Sequence, residues 1–201
     1  MENYDFLKKI SISLFCIDKR FDYLTTEYFD SMDLRYNYYS ITSAGSVLSL
    51  SYEKYCKGIC NCRCKCDKNT DKKLKCNPNN PEMELLKLSI LKNIEIASSL
   101  DDIKDIYLLN HQDCGAIKAF LSCSNYPNNL GENNPLEIEI NTHLLLFAKN
   151  IIEEKYKNIT NVRLGLIDIN GSVADYDAKY CSWNLVYRGI GNDPKGLWYG
   201  L

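Results

Sequence analysis

Short apolar runs alternate with helical segments along this chain, and that alternation restricts the fold more than any other feature. Residues 11–17 (Ser-Ile-Ser-Leu-Phe-Cys-Ile) alternate and then become apolar, as a buried strand does. Asp22 to Met32 reads as a short helix, and Tyr36 to Thr42 as a second strand rich in aromatic and β-branched residues. Pro81 to Leu100 predicts a long helix, with Asn80 as its cap and Pro81 at the first helical position. Met83, Leu86, Ile90, Ile94 and Ala97 form one apolar stripe; Leu85, Leu88, Leu91 and Ile96 lie off it, so more than one face is expected to be buried. A third strand is expected over Asp105 to Asn110, followed by a short helix from Ala116 to Leu121. Asn134-Pro135-Leu136-Glu137 starts another helix, running to about Tyr156, in which Glu137 can reach back to the cap. Val162 to Ile169 is a fourth strand, closed by an Asn170-Gly171 turn. The tail from Ser172 holds both tryptophans and reads as an edge strand or as an arm packing on a partner. This order predicts an α/β fold, a mainly parallel sheet flanked by helices.

In such sheets functional groups collect beyond the carboxyl ends of strands. Cys16 closes the first strand, Ala44-Gly45 follows the second, and His111 and Cys114 follow the third. Three separate segments therefore converge on one sheet edge. His111-x-x-Cys114 is a two-ligand spacing, and Cys16 supplies a third donor. A Cys₂His set leaves one tetrahedral position open, the arrangement of a catalytic zinc.

The chain has 201 residues, enough for one domain with a substantial core. Its formal net charge of -2 points to neither a nucleic-acid binder nor a membrane-surface protein. The acidic start, Met1-Glu2-Asn3-Tyr4-Asp5, has no basic region of the kind a signal peptide carries, and no run is long enough to span a membrane. A cytoplasmic location is the expectation. Ten cysteines then favour metal ligation or redox chemistry over disulfides. Six of them, Cys56, Cys60, Cys62, Cys64, Cys66 and Cys76, crowd into a polar segment at residues 52–80. With almost no apolar periodicity, that segment reads as an insertion loop within a single domain spanning 1–201. Its thiols could form a second soft-metal site, local disulfides, or a reactive loop activated by neighbouring lysines. Cys123 and Cys181 read as ordinary buried or free thiols, His143 as a surface or packing residue, and Tyr36, Tyr38 and Tyr39 as packing on strand faces.

Cys16-x-Asp18-x-Arg20, the Ala44-Gly45 turn and His111-x-x-Cys114-Gly115, in that order, resemble the β-class carbonic anhydrases, and more closely a divergent branch of them. The resemblance covers roughly residues 10 to 175, interrupted by the cysteine-rich segment. It implies zinc held by Cys16, His111 and Cys114, and reversible hydration of carbon dioxide by zinc-bound hydroxide. It implies that Asp18 accepts a hydrogen bond from the zinc-bound water, or closes the site by coordinating the metal. Arg20 would pair with Asp18 and hold it off the metal; a guanidinium fork suits that task because it can take both oxygens. Two thiolates neutralise the ion, which makes it a weaker Lewis acid than a three-histidine zinc. A homodimer or higher oligomer is also implied.

The chain departs from the pattern in two places. Thr42-Ser43 stands where many members have Arg-Asn, and Ala116 where a second glycine often follows. Two alternatives stay open. One is hydrolysis of carbonyl sulfide or carbon disulfide at the same site. The other is a non-catalytic zinc-binding or redox-responsive protein on this fold.

Overall fold

A computed structural model describes residues 10–58, 79–121 and 135–189. The elements run β1 (Ser11–Cys16), α1 (Lys19–Ser31), β2 (Tyr38–Ser43), α2 (Leu48–Gly58), α3 (Pro81–Leu100), β3 (Asp105–His111), α4 (Gly115–Leu121), α5 (Pro135–Lys155), β4 (Asn161–Ile167), β5 (Val173–Asp177) and β6 (Ser182–Tyr187). They build one six-stranded mixed sheet in the order β2-β1-β3-β4-β5-β6. The first four strands are parallel; β5 and β6 add antiparallel. The α/β architecture expected from the alternation is the one observed. The tail supplies the last two strands, with β6 at the sheet edge and Trp183 buried in it.

Every residue of β1 and β3 is buried, because helices cover both faces of the central sheet. Side chains on β3 alternate between two cores. Ile106 and Leu108 enter the larger one with α2, α3 and α5. Tyr107 and Leu109 enter a smaller aromatic core against Phe21, Tyr28 and Phe29 of α1. The chain leaves β1 for β2 on one side and later returns to place β3 on the other. The strand order thus reverses between β1 and β3, and a crevice opens at their carboxyl ends.

The long helix α3 begins and ends where the sequence predicts. Asn80 Oδ1 accepts from the N–H groups of Glu82 (2.9 Å) and Met83 (3.3 Å), and Pro81 needs no partner. Its buried face carries Ile90, Leu91, Ile94 and Ala97. Leu85, Leu88 and Ile96, expected on a second buried face, are instead exposed. Among the described residues no element covers that side, since the sheet lies beneath the opposite one.

The segment expected to be a loop over 52–80 begins differently. Residues 52–58 are the end of α2, and Tyr52 and Tyr55 lie in the larger core. These tyrosines supply an apolar face that the neighbouring lysines and cysteine mask in the sequence. The crowded cysteines from Cys60 to Cys76, and Cys123, lie outside the described residues. Cys181 is exposed and unbridged, and Tyr36 is exposed rather than packed on a strand face. Tyr38 stacks on Phe29, and the Tyr39 hydroxyl donates to Asp101.

Leu108, wholly buried in the central strand, and Asn80, a surface cap, test this architecture together. Leu108→Ala is expected to cost about 2–5 kcal/mol through the cavity it leaves. Asn80→Ala should cost about 1 kcal/mol. Urea denaturation of the two variants measures the difference, and a Leu108 cost no larger than the cap's would contradict the central position of β3.

Candidate metal centre

Parallel pairing of β1 with β3 brings Cys16 and His111 to the same end of adjacent strands. Beyond β3 the chain reverses within His111-Gln112-Asp113-Cys114. Asp113 takes a left-handed conformation (φ 58°), which turns Cys114 back beside His111. The Cys16 and Cys114 Sγ atoms are 3.9 Å apart. Together with His111 nitrogen they form a cluster whose ligand atoms all lie within 4.8 Å of one another. All three side chains are buried, at 7%, 2% and 1% exposure for Cys16, His111 and Cys114.

The donor set fits zinc. Two sulfurs on a tetrahedral zinc with bonds of about 2.3 Å sit about 3.8 Å apart, close to the spacing found. His111 Nδ1 lies 2.7 Å from the Gln112 carbonyl oxygen, which can only accept, so Nδ1 carries the proton. The lone pair is then on Nε2, which has no hydrogen-bond partner although it is buried. A buried ring nitrogen without a partner is costly unless something else occupies it, and a ligated histidine fixed through its other nitrogen is the usual arrangement at a metal. Phe21 stacks on the imidazole at 4.0 Å between centroids and holds its plane.

The two thiols are hydrogen-bonded to each other. The hydrogen bond with Cys114 pulls the Cys16 thiol well below its ordinary range against the opposing effect of burial, with smaller help from the Gly45 N–H, 3.4 Å from Sγ. The same bond, together with burial, pushes Cys114 upward. A divalent ion bound by both sulfurs would displace their protons. Gly45 approaches this closely because it lacks a side chain: its φ is 72°, and a Cβ there would meet Leu48 Cβ at 3.0 Å and Ala116 Cβ at 3.3 Å.

Asp18 and Arg20 come together as the motif implies. Arg20 Nη2 donates to Asp18 Oδ2 at 2.7 Å, and Nε lies 3.0 and 3.2 Å from the two carboxylate oxygens. Asp18 also caps α1, accepting from the Arg20 N–H at 3.1 Å. The Arg20 side-chain bond is the main reason that the Asp18 carboxyl is pulled down to about 2. Asp18 Oδ2 lies 4.0 Å from His111 Nε2, so the carboxylate borders the cluster.

Two residues near the centre escaped the sequence reading. Asp113 takes a second pair of Arg20 bonds, from Nη1 to Oδ2 (2.8 Å) and from Nη2 to its carbonyl (3.1 Å), and also pairs with Lys118. Glu137, expected to reach back to the cap at Asn134, which lies outside the described residues, accepts from the Asp113 N–H at 2.7 Å through Oε1. Burial pushes the Glu137 carboxyl up, and the Asp113 N–H opposes that shift. The charge on Asp113 was visible between His111 and Cys114, but its link to Arg20 spans 93 positions. His143 is half-buried on α5 and is not among the three clustered donors.

The folded Asp18 titrates below its ordinary value of 3.8. Its contribution to stability is therefore complete above that value and is lost as pH falls from 3.8 toward about 2. Carbon-13 NMR of the carboxyl in metal-free protein should give a midpoint near 2, and Arg20→Gln should return it toward 3.8. An unchanged midpoint in that variant would remove Arg20 as the cause.

No family model matches the sequence, and no curated protein matches it. Among solved structures the chain is similar to the β-carbonic anhydrase CafA of the fungal pathogen Aspergillus fumigatus. The likeness covers 85% of this chain and 76% of that one, at 14% identity and a TM-score of 0.41.

Proposed function

We propose that Cys16, His111 and Cys114 hold one zinc ion, and that the chain catalyses the reversible hydration of carbon dioxide. The observation that carries this reading is the cluster itself: three buried donors within 4.8 Å, one of them a ring nitrogen with no other partner. Three protein ligands leave a tetrahedral ion one position for chemistry. Bound zinc would supply Lewis acidity sufficient to ionise water near pH 7. Carbon dioxide as the substrate is supported by the resemblance of Cys16-x-Asp18-x-Arg20 and His111-x-x-Cys114 to the β-class carbonic anhydrases.

The chain's own residues divide the remaining work. Asp18 offers a carboxylate that stays ionised at any pH of interest, so it can accept a proton donor beside the ligands. Arg20 occupies both Asp18 oxygens and so restrains the carboxylate from turning onto the metal. The Gly45 N–H supports Cys16 sulfur as a thiolate. Phe21 keeps His111 in the plane that aims Nε2 at the other two donors. A homodimer or higher oligomer belongs to the same reading, and sedimentation measures it.

Atomic absorption should find zinc in the purified protein, and Cys16→Ser should lose it. Unchanged zinc stoichiometry in that variant would sink the ligand assignment. Stopped-flow hydration of carbon dioxide by the zinc-loaded protein is expected between about pH 7 and 9. Asp18→Asn keeps the α1 cap but removes the charge, and should lower the rate by about 10²-fold or more. Zinc binding without hydration would instead turn the reading to carbonyl sulfide or carbon disulfide, or to a non-catalytic zinc protein.

A further inference from the structure

The ligand loop depends on a residue in an unfavourable conformation. Asp113 sits between His111 and Cys114 with φ 58°, and it is not a glycine. A side chain there is held only when its surroundings over-determine it. Two attachments do so from opposite sides. Arg20 takes the Asp113 carboxylate and carbonyl from the direction of α1. Glu137 takes the Asp113 N–H from the direction of α5, at 2.7 Å.

The second attachment is built into the core rather than laid on the surface. Glu137 is 2% exposed, while Arg20 is half exposed. One turn further along α5, Asn141 Oδ1 accepts from Asn110 Nδ2 at 2.8 Å, and Asn141 Nδ2 donates to the Glu137 carbonyl at 2.9 Å. Asn110 immediately precedes the ligand His111 on β3. The Asn110–Asn141 bond therefore fixes the axial position of α5 against β3, and that position sets Glu137 beneath the Asp113 N–H. A peptide N–H shielded from water needs an acceptor, and the Asp113 N–H has it in Glu137 Oε1.

We propose that Glu137 is a positioning residue of the metal centre: through the Asp113 N–H it holds the His111–Cys114 loop in the turn that brings both ligands together. It touches neither metal nor substrate. This rests on the metal reading above. Removing an outer partner of this kind lowers metal affinity by about 10–100-fold.

The test measures zinc affinity of the full chain by competition with a chromophoric chelator, and records the absorption of the cobalt(II)-substituted protein. Glu137→Gln keeps a carbonyl oxygen for the Asp113 N–H and should bind zinc within about threefold of the unaltered chain. Glu137→Leu should lose about 10–100-fold and change the cobalt ligand-field bands. Ile152→Ala, a wholly buried position on the same helix, serves as a control: it should lower the melting temperature while leaving affinity and spectrum unchanged. Full zinc affinity and an unaltered cobalt spectrum in Glu137→Leu would overturn the positioning role alone. An equal loss of affinity in Ile152→Ala would overturn it too, by showing general loosening of α5. Failure of the unaltered chain to bind zinc would remove the metal reading and this inference with it.

Discussion

Parallel pairing of β1 with β3 is the constraint on which the rest of the molecule depends. The register sets Ser11 against Asp105 and Leu14 against Leu108, and the strands then run on to Cys16 and His111. Because β1 turns toward β2 and β3 toward β4, the helices that follow them diverge. The crevice left at the carboxyl ends admits small, buried, chemically soft donors. Slippage of β3 by one residue would reverse its two faces. His111 would then leave the side of Phe21, and the aromatic core would lose Tyr107 and Leu109. Core packing and site geometry thus impose the same register.

Electrostatics divides the centre into two layers. The inner layer is apolar, with the two thiols and the imidazole almost out of contact with water. The bond between the two thiols is the main reason that they shift in opposite directions. The outer layer is half exposed and carries Asp18, Arg20, Asp113 and Lys118. Solvent screening limits what these pairs add to stability. Their effect is directional: one guanidinium fixes both the carboxylate that caps α1 and the turn between His111 and Cys114.

Much of this was legible before any coordinates. The long helix α3 has a capping asparagine, an N-terminal proline and a regular apolar period, so its bounds agree with the structure at both ends. The four parallel strands fall within two residues of expectation. What the pattern could not give was the outer side of α3. Leu85, Leu88 and Ile96 look like core residues in one dimension, yet they are exposed. The end of α2 was hidden for the opposite reason, since Tyr52 and Tyr55 sit among lysines and glutamate that mask their burial. Glu137 illustrates a third kind of miss. Its local signal pointed to the cap at Asn134, outside the described residues, and could not show that one carboxylate oxygen takes a partner 24 positions away.

By itself the sequence determined which residues are available and where along the chain they occur. Strand-forming and helix-forming periods are local properties, and so is the placing of Cys16, His111 and Cys114 after strands. Distances between segments are not local. Only the tertiary structure decided that donors 98 positions apart approach to 3.9 Å, that His111 is left with a free ring nitrogen, and that Arg20 and Glu137 grip the same turn from two helices. The physical reason is that strand order and helix register are set by the summed burial of two cores, which no single segment encodes.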